Sequence, residues 1–365
     1  MARELLEKIA SQSRFTGSDR EARARKLCAA LLEESGLSVT EHPFTFSEFP
    51  GRYGVPMVAL ILGSVALLAS HVYFRHGGAV PAMALLGAGI IVVRAISRWL
   101  ARRGTSRISW MRSQSVNLVA VRGRPSLWLV AHLDTKSQTI PMLVRVVSVV
   151  VAAVVTAGLA GSLLFEWINA FPDGAARPDA LWISIWAKLV AIAALPLVLC
   201  LTGDRSPGAV DNASGLISVL LATRALVAQT NLGVIVTSGE ELGLAGARAF
   251  VESNPDRGIA VNCDTIDDHG DFLCMTQRGR SATAPDVARA ASRLGLTVRE
   301  RTIIPGILAD SIAFADAGWD SVTISRGNLA TLARVHTSGD TRERLDGSGI
   351  AKAARLLAAT VKELD

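Results

Sequence analysis

Cysteine and, over one long stretch, acidic residues are scarce or missing in this sequence, and its first 50 residues lack an apolar run. Its four cysteines have no short paired spacing, which argues against a thiolate zinc knuckle or a dense disulfide framework and favours a reducing compartment. The first 50 residues hold no apolar run behind a basic start, so we expect no secretory signal. No acidic residue occurs between Arg98 and Arg124, where seven arginines fall beside an apolar segment. That position indicates membrane orientation and argues against a nucleic-acid partner.

Long apolar runs are what the sequence has in excess. Of its 365 residues 50% are hydrophobic and 19% are charged, which indicates a soluble domain combined with membrane segments. Four stretches approach the roughly 20 residues that cross a bilayer core about 30 Å thick. They are residues 55–74, 79–99, 141–165 and 181–202. A core helix of a soluble protein would need the polar face that these runs lack.

The four spans are predicted to form two hairpins, residues 55–99 and residues 141–202. The first hairpin has a very short link near Arg75, and the second has a longer acidic link. We expect both links on one side of the membrane and all other polar sequence on the other, which the positive-inside rule assigns to the cytoplasm. The chain is thus predicted to be an integral, multi-pass protein with the lipid bilayer as a partner. The longer link contains Glu166, Asp173, Arg177 and Asp179.

Three basic residues lie within or near the spans: Arg94, Arg145 and Lys188. Each is close enough to the end of a span for its charge to reach the interface along a flexible stem. We therefore interpret them as anchors and not as part of a transport pathway. The spans also contain no deep acidic residue and no broken-helix signal, which argues against a transporter or channel.

The remaining polar sequence is predicted to fold as one discontinuous domain of residues 1–50, 101–138 and 204–365. Strand-like apolar runs occur at residues 116–121, 127–132, 232–238, 259–264 and 320–325. Helical patterns occur at residues 1–36, 214–229, 243–253, 285–295, 310–318 and 347–364. Continuous buried strands between helices favour an α/β fold, a three-layer sandwich around a largely parallel central sheet.

Polar residues at the ends of the apolar runs are candidates for chemistry, because ligands of open α/β sheets bind at the carboxyl ends of strands. Taken singly, each of them has a plain interpretation as a helix cap, a turn residue or a surface side chain. Two imidazoles and several carboxylates at one edge of a sheet together indicate a metal site. The candidates are His132, Asp134, Asp211, Glu240, Glu241, Asp264 and His336.

A pair of zinc ions would need nitrogen and oxygen ligands and one group able to bridge them. A carboxylate can bridge, so five ligands suffice: one Asp between the metals, and one His and one carboxylate for each. The adjacent Glu240 and Glu241 can supply a ligand and a free carboxylate that takes a proton from water, since neighbouring side chains point in different directions. Asp134, two residues after His132, is placed to accept a hydrogen bond from the second imidazole nitrogen.

At these motifs the sequence resembles the dinuclear zinc aminopeptidases of metallopeptidase family 28, whose superfamily includes glutaminyl cyclases and the transferrin receptor ectodomain. The resemblance begins in the N-terminal helical segment and continues through HLD, PGAVDNASG, GEELGLAGAR, the strand before Asp264, and HTSGDT. It implies a cofactor of two zinc ions and a peptide substrate. The roles it implies are one zinc on His132 and Asp264, the other on Glu241 and His336, Asp211 as the bridge, and Glu240 as the general base.

The resemblance implies a membrane-anchored aminopeptidase that removes N-terminal residues from peptides. Some relatives use a late tyrosine to steady the tetrahedral intermediate, but the only tyrosines here are Tyr53 and Tyr73, so the oxyanion partner stays open. Ser311 follows Asp310 where relatives often have His, and we interpret Asp310 as a helix cap. The alternatives are a catalytically silent binding protein of the same superfamily and a one-zinc acyltransferase similar to glutaminyl cyclases. The oligomeric state and the preferred N-terminal residue stay open as well.

Overall fold

The structure, a computed structural model, describes residues 1–75, 78–169, 179–277, 279, 281–303 and 306–364. Asp173 and Arg177 of the predicted acidic link lie outside the described residues. The strands are β1 (Ser38–Ser47), β2 (Arg112–Arg122), β3 (Leu127–His132), β4 (Ser137–Gln138), β5 (Thr202–Gly203), β6 (Leu232–Thr237), β7 (Ile259–Ile266), β8 (Asp271–Thr276), β9 (Val298–Thr302) and β10 (Asp320–Gly327).

The α-helices of the described residues alternate with these strands, apart from four long apolar helices. They are α1 (Ala2–Ile9), α2 (Asp19–Glu34), α3 (Phe49–Arg75), α4 (Ala79–Trp99), α5 (Thr105–Arg107), α6 (Met142–Asn169), α7 (Asp179–Val198), α8 (Gly215–Ala225), α9 (Ala245–Ser253), α10 (Ala284–Arg293), α11 (Ser311–Asp316), α12 (Leu329–Arg334) and α13 (Ser348–Leu364). The predicted helical segment 1–36 is therefore two helices, because the chain turns at Gly17, whose φ is +78°.

Eight of the described strands form one sheet in the order β1-β2-β6-β3-β7-β10-β8-β9. The inner strands β6, β3, β7 and β10 run parallel, and antiparallel pairs flank them on both sides. Inner parallel strands are buried on both faces, which explains the uninterrupted apolar sequences of β3 and β6. The predicted α/β fold with a largely parallel central sheet is confirmed.

Helices cover both faces of this sheet and give three layers. Leu129 and Ala131 of β3 belong to the core shared with α8, α10 and α13, whereas Trp128 and Val130 belong to the core shared with α9 and α11. Trp128 pairs with Gly233 of β6, and a Cβ at Gly233 would lie 2.4 Å from the indole. Glycine at this position therefore makes room for the largest side chain of the strand.

Four helices among the described residues are long and apolar enough to cross a membrane: α3, α4 with its continuation to Arg107, α6 and α7. Leu159 and Leu163 of α6 pack in one cluster with Ala66 of α3 and Ile183 of α7, so the two hairpins contact each other. The second hairpin leaves and re-enters the domain at β4 and β5, which pair antiparallel. Its base therefore lies beside the loop that follows β3.

Candidate active site

Four of the predicted residues converge around a fifth, Asp211. One oxygen of Asp211 lies 3.2 Å from His132 Nε2, and the other lies 3.0 Å from His336 Nε2. His132 Nε2 is also 3.5 Å from Asp264 Oδ1, and His336 Nε2 is 3.1 Å from Glu241 Oε2. These residues form two triplets, His132 with Asp211 and Asp264, and Asp211 with Glu241 and His336. In each triplet the possible ligand atoms lie within 4.8 Å of one another. The arrangement offers two potential metal positions that share Asp211.

The residues of this cluster fit zinc on their own geometry. His336 Nδ1 and Glu241 Oε1 are buried and have no hydrogen-bond partner among the described residues, and His336 Nε2 faces only carboxylate oxygens, those of Asp211 and Glu241. His132 Nδ1 is satisfied by the main-chain oxygen of Asp134 at 3.1 Å, which leaves Nε2 facing the carboxylates. Buried imidazole and carboxylate atoms that lack protein partners and lie close together are the donor set that zinc takes.

Asp134 makes a different contact from the predicted one. Its carboxylate lies 3.7 Å from His132 Nδ1, too far for a hydrogen bond, and its main-chain oxygen is the partner of the imidazole. The carboxylate instead accepts the main-chain N–H groups of Glu240 and Glu241, both at 3.2 Å, and the Thr16 hydroxyl at 2.9 Å. Asp134 therefore holds the Glu240–Glu241 loop against the loop after β3.

Asp211 is fixed by backbone contacts that sequence reasoning missed. The buried carboxylate of Asp340 accepts hydrogen bonds from the N–H groups of Val210 at 2.8 Å and Asp211 at 3.1 Å. Gly208 has φ +60°, and a Cβ there would lie 2.2 Å from Thr135, so the PGAVD loop packs tightly on the loop after β3. The signal for Asp340 was its place in HTSGDT, the motif that was used only for His336.

Arg14 was also missed. It is 1% exposed, and its guanidinium donates to the main-chain oxygens of Ile9, Leu133, Pro207 and Gly208. One side chain thus ties the N-terminal segment to the loop of His132 and to the loop of Asp211. It lies in the irregular stretch between α1 and α2, where no periodic pattern singles it out.

Burial and the charges of neighbouring residues shift the pKa values of the carboxylates in this cluster in opposite directions. Burial, reinforced by the charges of Glu241 and Asp264, raises the pKa of Glu240 well above its usual range. Burial also acts on Asp211, but hydrogen bonds from His132 and His336 lower its pKa. Asp211 is therefore the permanent anion. Glu240, whose Oε2 lies 4.0 Å from His132 Nε2, is the carboxylate most suited to take up and release a proton.

Asp310 precedes α11 as predicted, but its side chain makes no capping hydrogen bond. The Thr237 hydroxyl donates to one carboxylate oxygen, and the other is buried without a partner among the described residues. Burial raises the pKa of Asp310 to about 7. The interpretation of this side chain as a helix cap is therefore wrong, because the carboxylate turns toward the end of β6 and not toward the first turn of α11.

A cavity of about 490 Å³ opens from the carboxylate cluster. Its walls are mainly apolar and include Leu273 and Met275 of β8, Leu332 of α12 and Met142 of α6. This volume lies in the range of small-molecule sites. The second apolar hairpin, to which α6 belongs, therefore supplies part of the wall.

Four basic residues line this cavity, and two of them, Lys136 and Arg145, are buried; the exposed ones are Arg299 and Arg301. Lys136 Nζ lies 2.8 Å from Glu241 Oε2. Arg145 is only 6% exposed, so the prediction that it snorkels to the interface is wrong. The first turn of α6 packs on the domain core through Met142, which turns Arg145 inward. Arg94 and Lys188 are exposed, as an anchoring role requires.

A three-layer α/β fold with imidazoles and carboxylates gathered at the ends of its parallel strands defines a class of zinc-peptidase-like proteins. Residues 194–361 match the model of peptidase family M28. The resemblance read from the motifs is thereby confirmed, and it supports a hydrolase of the peptidase type. No curated protein sequence matches the chain.

Solved structures with the same fold include two aminopeptidases and a cyclase. A zinc aminopeptidase from Bacillus subtilis has a TM-score of 0.58 and 14% identity, over 100% of this chain and 94% of that chain. An aminopeptidase from Aneurinibacillus sp. strain AM-1 has a TM-score of 0.57 and 14% identity, over 99% and 92%. A glutaminyl cyclase from Fimbriiglobus ruber has a TM-score of 0.56 and 13% identity, over 99% and 94%. Identities this low establish the fold alone.

Proposed function

We propose that the chain is a membrane-anchored zinc aminopeptidase that hydrolyses the N-terminal residue from peptides. The observation that carries the proposal is the pair of triplets that share Asp211, with Glu240 beside them. In this proposal His132 and Asp264 would hold one zinc, Glu241 and His336 would hold the other, and Asp211 would be shared by both. The family match over residues 194–361 supports it, because this range contains four of the five ligands.

The chain's own residues supply the proton transfers. Bound zinc would polarise the scissile carbonyl and make water more acidic. Glu240 takes the proton of the attacking water and returns it to the leaving amine, which its raised pKa favours. Asp134 keeps Glu240 in place through the main-chain N–H. The mainly apolar cavity of about 490 Å³ suits the end of a peptide.

The anchoring part of the proposal divides the chain as follows. Residues 1–50, 101–138 and 204–365 form the peptidase domain on the cytoplasmic side, and residues 55–99 and 141–202 form two hairpins in the bilayer. The length and composition of the four apolar helices support the hairpins. The arginine block from Arg98 to Arg124 supports the cytoplasmic side.

Substitution of the proposed base gives the direct test. Glu240→Gln should leave two zinc ions per chain, because Glu240 is not a ligand in this proposal, and should lower kcat on aminoacyl anilides by about 10²- to 10⁴-fold. Glu252→Gln, at an exposed position of α9, is the matched control and should behave as wild type. Undiminished turnover of Glu240→Gln would refute the assignment.

Metal content together with a substrate panel separates the two alternatives. If the protein contains one zinc per chain and cyclises N-terminal glutamine, it is an acyltransferase and not a peptidase. Absence of both zinc and turnover in the purified protein would leave a binding protein. The sharing of Asp211 by two triplets favours two metals over one.

A further inference from the structure

The second membrane hairpin brings into the candidate site a charged side chain that the proposed mechanism does not use. Arg145 of α6 is 6% exposed and lines the same cavity as Asp211, Glu240 and Glu241. Its Nε is buried without a hydrogen-bond partner, and its guanidinium makes no ion pair within the part of the chain that the structure describes. Arg145 is therefore a buried cation that could bind an anion in the cavity.

A buried guanidinium without a partner is costly, so a compensating anion is expected in the functional state. None of the nearby acids forms an ion pair with Arg145 among the described residues. The two oxygens of Asp211 face two imidazoles, and Glu241 Oε2 faces Lys136 and His336. The charges of Glu241 and Glu240 act on Arg145 through space, without contact. Among the described residues the guanidinium thus has no hydrogen-bond partner, which leaves its N–H groups for a ligand in the cavity.

We propose that Arg145 binds the terminal carboxylate of a short peptide substrate. The proposal rests on the aminopeptidase function, since a peptide bound with its amino end at the carboxylate cluster carries one obligatory anion, at its other end. The planar fork of a guanidinium matches a carboxylate in two parallel hydrogen bonds. Peptides whose carboxylate reaches Arg145 are thereby selected over longer or amidated ones.

The size of the cavity agrees with a short peptide. A volume of about 490 Å³ corresponds to a space on the order of 10 Å across, the length of about three extended residues. The walls between the two charged ends are apolar, from Met142, Leu273, Met275 and Leu332. Three other basic residues line the cavity, but Lys136 is paired with Glu241, Arg299 is paired with Asp271, and Arg301 is exposed to solvent. Arg145 is therefore the buried cation best suited to meet the charge of the peptide end.

The test compares Leu-Ala with Leu-Ala amide on the full-length, zinc-loaded protein. Wild type should prefer the free acid. Arg145→Met should raise KM for the acid by roughly 10- to 100-fold, the loss of a charge-assisted hydrogen-bonded pair, and should leave KM for the amide unchanged. Arg145→Lys should keep part of the preference. Arg94→Met, which removes an exposed arginine from the other hairpin, should behave as wild type.

Binding of the two peptides to the Glu240→Gln protein, measured by calorimetry, gives a readout that needs no turnover. Tighter binding of the acid that depends on Arg145 would support the carboxylate site even if wild type cleaved neither peptide, which would refute only the aminopeptidase function. Equal affinity of wild type for acid and amide would overturn the inference whatever is cleaved and whether or not Arg145→Met folds. An equal fall in kcat for both peptides would assign Arg145 to the reacting carbonyl and would also overturn it.

Discussion

Arg14 is the side chain on which both loops of the candidate site depend. Arg14→Met would leave four main-chain oxygens without their donor, and each buried unsatisfied group costs about 1 to 3 kcal/mol. We expect the free energy of unfolding to fall by at least about 3 kcal/mol and zinc to bind more weakly, because Leu133 and Gly208 flank the ligand loops. Thermal unfolding and zinc titration check both effects. Arg23→Met, on the exposed face of α2, is the control, and identical unfolding of both variants would contradict the prediction.

Glu21 should make stability depend on pH near neutrality. Burial, together with the charge of Asp134, raises its pKa to about 7 against hydrogen bonds from Ser238 and the Gly17 N–H. The folded protein then keeps a proton that the unfolded chain has released, so this stabilisation is complete below the ordinary value of 4.5 and is lost as pH rises to about 7.

Glu21→Gln removes this pH dependence, because glutamine does not titrate but has nearly the same size and can still form hydrogen bonds. The difference in free energy of unfolding, variant minus wild type, should rise by roughly 2 to 3 kcal/mol between pH 5 and pH 8. Denaturant titrations at the two pH values measure it, with Glu252→Gln as the exposed control. Parallel pH profiles of wild type and Glu21→Gln would show that Glu21 is ionised in the folded protein throughout.

Sequence reasoning identified the residues whose position follows from a local hydrophobic pattern. It missed the residues whose contacts are with distant parts of the chain. His132 ends the apolar strand β3 and Asp264 lies two residues before the end of β7, so the hydrophobic pattern places both at the edge of the sheet. Arg14 and Asp340 act on main-chain groups of distant loops, and those contacts exist only after the loops have packed. Arg145 looked like an anchor because the sequence records its distance from a span end but not which way the helix turns it.

The same distinction holds for strands and helices. β3 was predicted to the residue, since six consecutive buried residues leave no ambiguity, and β6, β7 and β10 were found within two residues. The edge strand β9, with the sequence VRERT, has no apolar alternation and is a strand only because β8 pairs with it. Its neighbour β8 contains the run FLCM and could have been found.

The contact between α6 and α7 depends on Gly158. A Cβ at Gly158 would lie 2.9 Å from the Trp186 ring, whereas a Cβ at Gly161 of the same helix meets nothing within 4 Å. Helices in a bilayer associate through such close approaches of small residues. We expect Gly158→Leu to lower the unfolding temperature of the detergent-purified protein clearly and Gly161→Leu to leave it nearly unchanged. Equal shifts for the two variants would mean that helix propensity, and not this contact, is what changes.

Both hairpins are inserted where two parts of the domain already lie side by side. β1 and β2 pair antiparallel from Ser38 with Val121 to Ser47 with Arg112, so the first hairpin leaves and returns at neighbouring points. β4 and β5 do the same for the second. Insertions between adjacent points leave the packing of a domain intact, which explains how sequence so widely interrupted builds one sheet.

The proposed orientation of the whole molecule can be tested with single cysteines in intact cells. Cys28, Cys200, Cys263 and Cys274 are all buried, so a charged, membrane-impermeant thiol reagent should give little background. Arg75→Cys, at the end of α3, should react in intact cells, because the positive-inside rule assigns the short link to the outer side. Ser11→Cys, exposed on the domain, should react only after the membrane is permeabilised.

The reverse pattern would place the domain outside. The arginine block from Arg98 to Arg124 would then lie on the translocated side, against its charge, and the three unpaired cysteines of the domain would face an oxidising compartment. Reaction of both variants in intact cells would instead mean that the hairpins do not separate the link from the domain. In that case the four apolar helices would serve as a buried layer of the protein or as a surface anchor, and the bilayer would not be crossed.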